Sequence, residues 1–408
     1  MEELTLQLTD IANGGDALGR DENGRVIFVP FTIPGERVRV EIVEDKVRFA
    51  HARLLEVLAP SAERVVPRCP HFGSCGICHW EHIDYQAQLN YKRAIVVDQL
   101  ARIGHMEDVE VRPTLANPEP YQYRTDISFS PTAGEELGFW SPYRGEVIPI
   151  EACYIMRAPL LELFQDVDLA LPGLRRLTLR LGDDGALLVA LETEQVDPPQ
   201  LAIDFPVSVA MVLPDGSAAN LVGDNYVVKS VKGRDFRVSA GSFFYPSPPA
   251  TAALIDTVMA LADLHGSETV LEAYSGVGTL TAFLAEQATE MIAVEVAPDA
   301  VGDAVVNLQD TENVAMYEGT VEEVLPQIKL YVDLMVVDPP PEGLSRRAVT
   351  LIKTIAPPRL IYVSSDVATM ARDGRQLSQA GYVAEVVQPI DMQPQTSHVL
   401  TVSLWLRG

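Results

Sequence analysis

The sequence predicts an α/β protein: a Rossmann-like C-terminal domain preceded by a small N-terminal β-barrel and an α+β centre. Three observations predict it. Residues 3–57 read as short strands cut by Gly, Asn and Asp; from Gly266 onward apolar strands alternate with helical stretches; and one strand runs directly into a Gly-x-Gly turn and a helix at 270–279.

The barrel strands are predicted at Leu4 to Leu8, Val26 to Pro30, Arg37 to Ile42 and Ala50 to Val57, with a break at Gly14-Gly15. Between His79 and Ile103 the apolar residues Leu89, Val96, Leu100 and Ile103 fall at helical spacing, so one helix is expected there. A mixed, strand-rich stretch follows from Val111 to Phe244. Pro246-Ser247-Pro248-Pro249 then marks a boundary before a helix at Thr251 to Leu264. Seven strands are predicted beyond it: Thr269 to Tyr274, Met291 to Val296, Ala315 to Glu318, Leu334 to Asp338, Leu360 to Ser364, Val383 to Val387 and Val399 to Leu406. Continuous apolar strands separated by helices mean a buried, mostly parallel sheet. Ligands of such sheets bind outside the carboxyl ends of the strands. The domains expected are 1–60, 61–245 and 246–408.

A chain of 408 residues has the length of two or three domains, and 47% apolar with 22% charged residues is a globular balance. No apolar stretch approaches the roughly 18 residues that a bilayer span needs. Met1-Glu2-Glu3 lacks an apolar signal core, so a cytoplasmic protein is expected. The net charge of −26 argues against unspecific adhesion to nucleic acid, and from Ala260 onward 8 basic face 20 acidic residues. The first 68 residues are near balance, 9 basic against 12 acidic, which leaves room for a local RNA contact.

Four cysteines in a reducing compartment are not a disulfide framework. Cys69, Cys75 and Cys78 form a C-x5-C-x2-C run and Cys153 lies far downstream. In Val270-Leu271-Glu272-Ala273-Tyr274-Ser275-Gly276-Val277-Gly278-Thr279 the glycines let backbone approach a ligand at a helix N-terminus. Glu295, closing the next strand, suits a ribose diol, and Asp338-Pro339-Pro340 closes a later one. These strand ends resemble a class I S-adenosylmethionine (SAM) site, with Tyr245, Tyr274, Gly276, Gly278, Thr279, Glu295, Thr320 and Asp338 as cofactor-binding candidates.

The whole chain is similar to the RNA uracil-C5 methyltransferase family acting on ribosomal or transfer RNA. The matching residues are Pro34-Gly35-Glu36-Arg37-Val38, Tyr123-Arg124, Gly138-Phe139, Gly241-Ser242-Phe243-Phe244, Tyr362-Val363-Ser364, Ala368-Thr369-Met370-Ala371-Arg372-Asp373, Pro394-Gln395-Thr396 and His398-Val399. The resemblance implies a TRAM-type barrel, SAM as methyl donor, RNA as partner, and a [4Fe-4S] cluster on Cys69, Cys75, Cys78 and Cys153. Spacing alone leaves a four-cysteine zinc site open.

The pattern departs at the reacting end. The family adds a cysteine thiolate to carbon 6 of uracil, methylates carbon 5, and strips the carbon-5 proton with a glutamate. This chain has Ser365 at the cysteine position and Leu400 at the glutamate position, Tyr245 where the family has glutamine, and Pro341 where it has arginine. A serine hydroxyl stays protonated without an adjacent base, and leucine accepts no proton. His398, two residues before Leu400 on a predicted strand, is expected on the same face, where it would neighbour Ser365. Uracil-C5 chemistry is therefore not expected. The alternatives are methylation of a different RNA atom, a catalytically silent RNA- and SAM-binding relative that assists RNA folding or assembly, or a SAM enzyme acting on a protein or small molecule. For an unpaired RNA loop, phosphate contacts are expected from Lys92, Arg93, Arg124, Arg144, Lys229, Lys232 and Arg234, and stacking from Tyr121, Tyr123 and Trp140. A monomer with no DNA or membrane partner is expected.

Overall fold

The computed structural model describes residues 2–167, 171–194, 197–199, 203 and 206–408. Part of the strand-rich stretch predicted between Val111 and Phe244 therefore lies outside the described residues.

Strands β1 (Glu3–Ile11), β2 (Ala17–Arg20), β3 (Val26–Val29), β4 (Arg37–Asp45) and β5 (Phe49–Ala59) close into a barrel in the order β1-β2-β3-β5-β4. Alternation does this: Leu6, Leu8, Val38, Val40, Ala50 and Ala52 point inward to one core while their neighbours face solvent. The β1–β2 turn is also a docking point. Gly15 has φ of 101°, and a Cβ there would meet Ser397, His79 and Trp80 atoms at 2.8–2.9 Å, so only glycine permits this approach. The Trp80 indole donates to the Gly15 carbonyl at 2.8 Å, which holds the barrel against the rest of the chain.

The helix expected from His79 to Ile103 begins later. It is α1 (Tyr85–Gln99), because Asp84 caps it by accepting the Gln86 N–H, and residues 100–104 continue as a π turn. Residues 79–84 instead form an irregular segment whose Trp80, Glu81 and His82 are buried. Strand β6 (Glu110–Val111) then joins the edge of the final sheet, a pairing no local pattern announced.

The centre is a seven-stranded sheet. Its members are β7 (Asp126–Pro131), β8 (Leu137–Ser141), β9 (Glu146–Pro149), β10 (Leu174–Leu181), β11 (Leu187–Thr193), β12 (Ser208–Val212) and β13 (Ala218–Val222), with α2 (Ala158–Asp166) packed on β10. The hairpin of β14 (Tyr226–Val231) and β15 (Arg234–Ser239) leads into α3 (Pro248–Ala262), whose two prolines occupy the first turn, where no backbone N–H is needed.

The last part of the chain alternates β16 (Thr269–Ala273), α4 (Thr279–Ala285), β17 (Glu290–Glu295), α5 (Pro298–Asn307), β18 (Val314–Glu318), α6 (Val321–Val324), β19 (Leu334–Val337), α7 (Arg346–Ile355), β20 (Arg359–Ser364), α8 (Val367–Ser378), β21 (Tyr382–Ile390) and β22 (Leu400–Arg407). The sheet order is β18-β17-β16-β19-β20-β22-β21-β6; β22 runs antiparallel to both neighbours and every other pairing is parallel. Two large apolar clusters, containing Val270 and Leu334 on one side and Leu271 and Met335 on the other, sandwich this sheet between helices. The predicted Rossmann-like class and the N-terminal barrel are both present.

Candidate functional site

Strand β16 ends at Ala273, and the next five residues build a turn that only unusual backbone conformations close. Tyr274 (φ 65°), Gly276 (φ 55°) and Gly278 (φ 81°) all lie in the left-handed region. At Gly278 a Cβ would also sit 3.0 Å from Leu308 Cδ1. The turn brings the Gly276 N–H to Glu295 Oε2 at 2.8 Å; Glu295 Oε1 accepts the Val296 and Ala297 N–H groups at 2.7 and 2.8 Å. A carboxylate has about four acceptor sites, so Glu295 is fixed in orientation and keeps capacity for further donors. Asp338, beyond the end of β19, accepts a 2.6 Å hydrogen bond from the Tyr245 hydroxyl.

Three carboxylates converge here. Burial pushes Asp338 up to about 7, with Glu295 adding to the rise and the Tyr245 hydrogen bond opposing it. Burial likewise pushes Glu272 up to about 8, against the hydrogen bond from Thr281, with Asp338 and Glu295 adding to it. Crowded, partly desolvated acids of this kind favour a bound cation. Glu272 was not among the sequence candidates; its signal was a carboxylate inside an otherwise apolar strand. Thr279 opens α4, whereas Thr320 donates both its N–H and its hydroxyl to Glu323 at the start of α6.

The neighbouring strand ends are different in character. Ser365 follows β20, is exposed, and its hydroxyl has no hydrogen-bond partner among the described residues. Asp366 is spent capping α8, accepting the Thr369 N–H at 2.8 Å. Leu400 is 3% exposed and belongs to the large apolar cluster with Ile390 and Val402. The expectation that His398 shares a strand face with Leu400 is corrected. Strand β22 begins only at Leu400, so His398 sits in the preceding loop, exposed where Leu400 is buried. Its ring meets His79 edge-on at 6.0 Å, and among the described residues it makes no hydrogen bond to Ser365. Desolvation, then the Lys92 and Arg124 charges, hold it below its ordinary pKa. Burial also lowers His79 to about 4, and this neutral ring accepts the Ser397 N–H at 2.9 Å, tying the 391–399 loop to the cysteine-bearing segment. Pro341 is exposed, and its carbonyl accepts from the Thr369 hydroxyl at 3.1 Å.

Cys69, Cys75, Cys78 and Cys153 line one small cavity of about 20 Å³, with Phe139 and Ile150 among its apolar walls. Burial is the largest influence on each thiol; it pushes Cys75 up to about 11, with Cys69 adding, and Cys153 up to about 12, with Cys75 and Cys69 adding. Glu81, 2% exposed, bridges the Arg68 and Cys69 N–H groups through Oε1 at 2.8 and 2.9 Å, while its buried Oε2 has no partner among the described residues. Among the described residues no group of three or more His, Cys, Asp or Glu side chains is arranged to hold a metal ion.

Several expected RNA contacts are internal instead. Lys92 is fully buried and paired with Asp391 at 2.5 Å, Lys229 is buried against Asp126 at 2.6 Å, and Tyr123 is fully buried with its hydroxyl donating to the Pro394 carbonyl. These are corrections: a cation or ring without solvent access cannot meet a phosphate or stack on a base. Arg234 is held by Asp310 at 2.9 Å and Lys232 by Asp256 at 2.5 Å. Arg93, Arg144 and Trp140 are exposed, and Arg124 and Tyr121 are half-buried.

A doubly wound sheet with a glycine turn and acidic strand ends, carried behind a five-stranded barrel, defines a class I SAM-dependent methyltransferase type of protein with an appended β-barrel domain. Residues 2–55 match the TRAM domain and residues 218–407 the tRNA (Uracil-5-)-methyltransferase family. RNA methyltransferases of Halalkalibacterium halodurans and Chlorobaculum tepidum, themselves uncharacterized, are 32% and 31% identical; the matches cover 98% and 99% of this chain and 96% of each relative. The chain belongs to this family of RNA methyltransferases. The crystal structure of Pyrococcus abyssi tRNA (uracil-54, C5)-methyltransferase in complex with S-adenosyl-L-homocysteine shares the fold, with a TM-score of 0.76 at 23% identity over 99% of this chain and 100% of that one.

Proposed function

We propose that this protein transfers the methyl group of SAM to RNA at an atom other than uracil carbon 5. The observation that carries this reading is the state of the two family positions: among the described residues Ser365 has no base within hydrogen-bond reach, and Leu400 is buried among aliphatic side chains. Carbon 5 of uracil is too weak a nucleophile without prior attack at carbon 6, so an enzyme lacking both groups needs an acceptor that is nucleophilic by itself, such as a ring nitrogen or a ribose oxygen. Such an acceptor makes no covalent adduct with the protein.

SAM supplies an electrophilic methyl group next to a positive sulfur. Glu295, fixed by three backbone N–H groups, is suited to the ribose hydroxyls, and the Gly276–Gly278 turn lets backbone lie close to the ligand. Asp338 and Glu272 supply negative charge near the cationic end, and Tyr245 orients Asp338. The target base has to leave its stack to reach this cleft, which favours an unpaired loop.

The four cysteines are assigned to a [4Fe-4S] cluster. What supports this is that all four thiols line one cavity and that soft sulfur ligands match iron, as the family resemblance implies. The cluster's role here is to clamp residues 69–78 to the segment carrying Cys153. Domain limits of 1–60, 61–245 and 246–408, a monomeric state and a cytoplasmic setting complete the reading.

A second reading keeps RNA and SAM binding without turnover. The acid excess of the last third of the chain, 8 basic against 20 acidic residues, favours it by weakening RNA engagement at the cleft. Both readings are tested with 5-fluorouridine-substituted RNA plus methyl-labelled SAM. The proposal predicts labelled RNA and no denaturation-stable protein–RNA adduct. An adduct would overturn it, and absence of label from every RNA offered would leave the silent reading standing in its place.

A further inference from the structure

A cleft of about 590 Å³ lies between the 65–88 segment, the 119–122 turn and Gln395, apart from every residue considered for SAM or for the reacting base. It shares Glu81 and Tyr121 with the cysteine cavity, so these two side chains form the wall between the two spaces. The Arg68 guanidinium lies 4.5 Å over the Tyr121 ring and has no carboxylate partner among the described residues. Val66, at the lip, is 89% exposed.

Two glutamines line the cleft, and both hold a backbone conformation that side chains rarely adopt: Gln122 at φ 52° and Gln395 at φ 69°. Gln395 is buried, donates to the Pro120 carbonyl at 3.2 Å, and stands in the 391–399 loop that also carries His398. Gln122 is exposed at the rim. Strained polar residues gathered at one concavity are a mark of ligand sites rather than of packing. A guanidinium stacked on an aromatic ring offers a flat cationic face for a base and a free N–H edge for a phosphate.

From this geometry we infer that the cleft receives an unpaired nucleotide of the RNA, its base packed on the Arg68–Tyr121 pair and its edge read by the Gln122 amide. The inference rests on the RNA reading above and adds a second contact point beside the methyl-transfer cleft. Contact through the 391–399 loop makes this nucleotide a selector of the RNA presented there.

The test is fluorescence anisotropy of the full-length protein with a fluorescein-labelled random-sequence RNA heptamer at low salt, alongside SAM binding by calorimetry. Arg68→Ala, Tyr121→Ala and Val66→Glu should each weaken heptamer binding at least about fivefold, Tyr121→Phe should stay within about twofold of wild type, and SAM affinity should not move. Val66→Glu replaces a solvent-facing side chain, so it keeps the test open if Tyr121→Ala fails to fold. Wild-type binding that Arg68→Ala and Val66→Glu leave unchanged overturns the cleft assignment alone. A wild-type protein that binds neither the heptamer nor total RNA overturns the RNA reading on which it rests.

Discussion

The strand ends of β16, β17 and β19 and those of β20 and β22 lie on one sheet, yet they have kept opposite chemistry. The first group holds a left-handed glycine turn, a carboxylate fixed by three amides, and a hydroxyl–carboxylate pair. The second holds an exposed serine whose hydroxyl has no partner among the described residues and a leucine absorbed into the apolar core. The lesson is that a donor cleft and an acceptor site on the same sheet can change independently, because backbone geometry maintains one and single side chains maintain the other.

The comparison breaks most completely if the donor side proves dispensable. Gly278→Val forces a branched side chain into a left-handed position already 3.0 Å from Leu308, and SAM binding by calorimetry should disappear. On the acceptor side, Leu400→Glu places a carboxylate among aliphatic side chains and should lower stability by about 3 kcal/mol in urea denaturation at pH 8. For the same reason Ser365→Cys with Leu400→Glu should restore at most partial 5-methyluridine formation, since Tyr245 and Pro341 remain.

The pH dependence sharpens the contrast. Asp338 and Glu272 are raised in the folded state, so the native protein binds more protons than the unfolded chain between about pH 4 and 8, and their contribution to stability is lost as pH rises through about 7 and 8. A cationic ligand favours their ionised forms, so SAM affinity should rise from pH 6 to 8.5, and Asp338→Asn should flatten that rise. Tyr245→Phe removes a hydrogen bond that favours ionised Asp338; SAM affinity should fall a few-fold at pH 7 and little at pH 9. The smallest effect belongs to Ser365→Ala, which should leave methyl transfer to RNA within about twofold of wild type, whereas a nucleophile would lose it entirely.

Much of this was legible in the sequence because it depends on local pattern. The alternation of the barrel strands, the apolar strands of the final sheet and the Gly276–Gly278 turn follow from residue spacing, and the substitutions at 365 and 400 are read directly. What was not legible depends on contacts between distant segments. Lys92 and Lys229 look like surface cations until Asp391 and Asp126 are seen beside them, 299 and 103 residues away. The β6 edge strand is two residues long, too short to carry a period. His398 left its predicted strand because the loop from residue 391 to 399 is held by His79 and Gln88, which no neighbouring residue foretells. Glu81 became visible only as a buried oxygen without a partner among the described residues, in the wall between two cavities.

The most direct test is nucleoside analysis of RNA after incubation with the purified protein and methyl-labelled SAM. The account predicts label in a methylated nucleoside other than 5-methyluridine. Label in 5-methyluridine would contradict it.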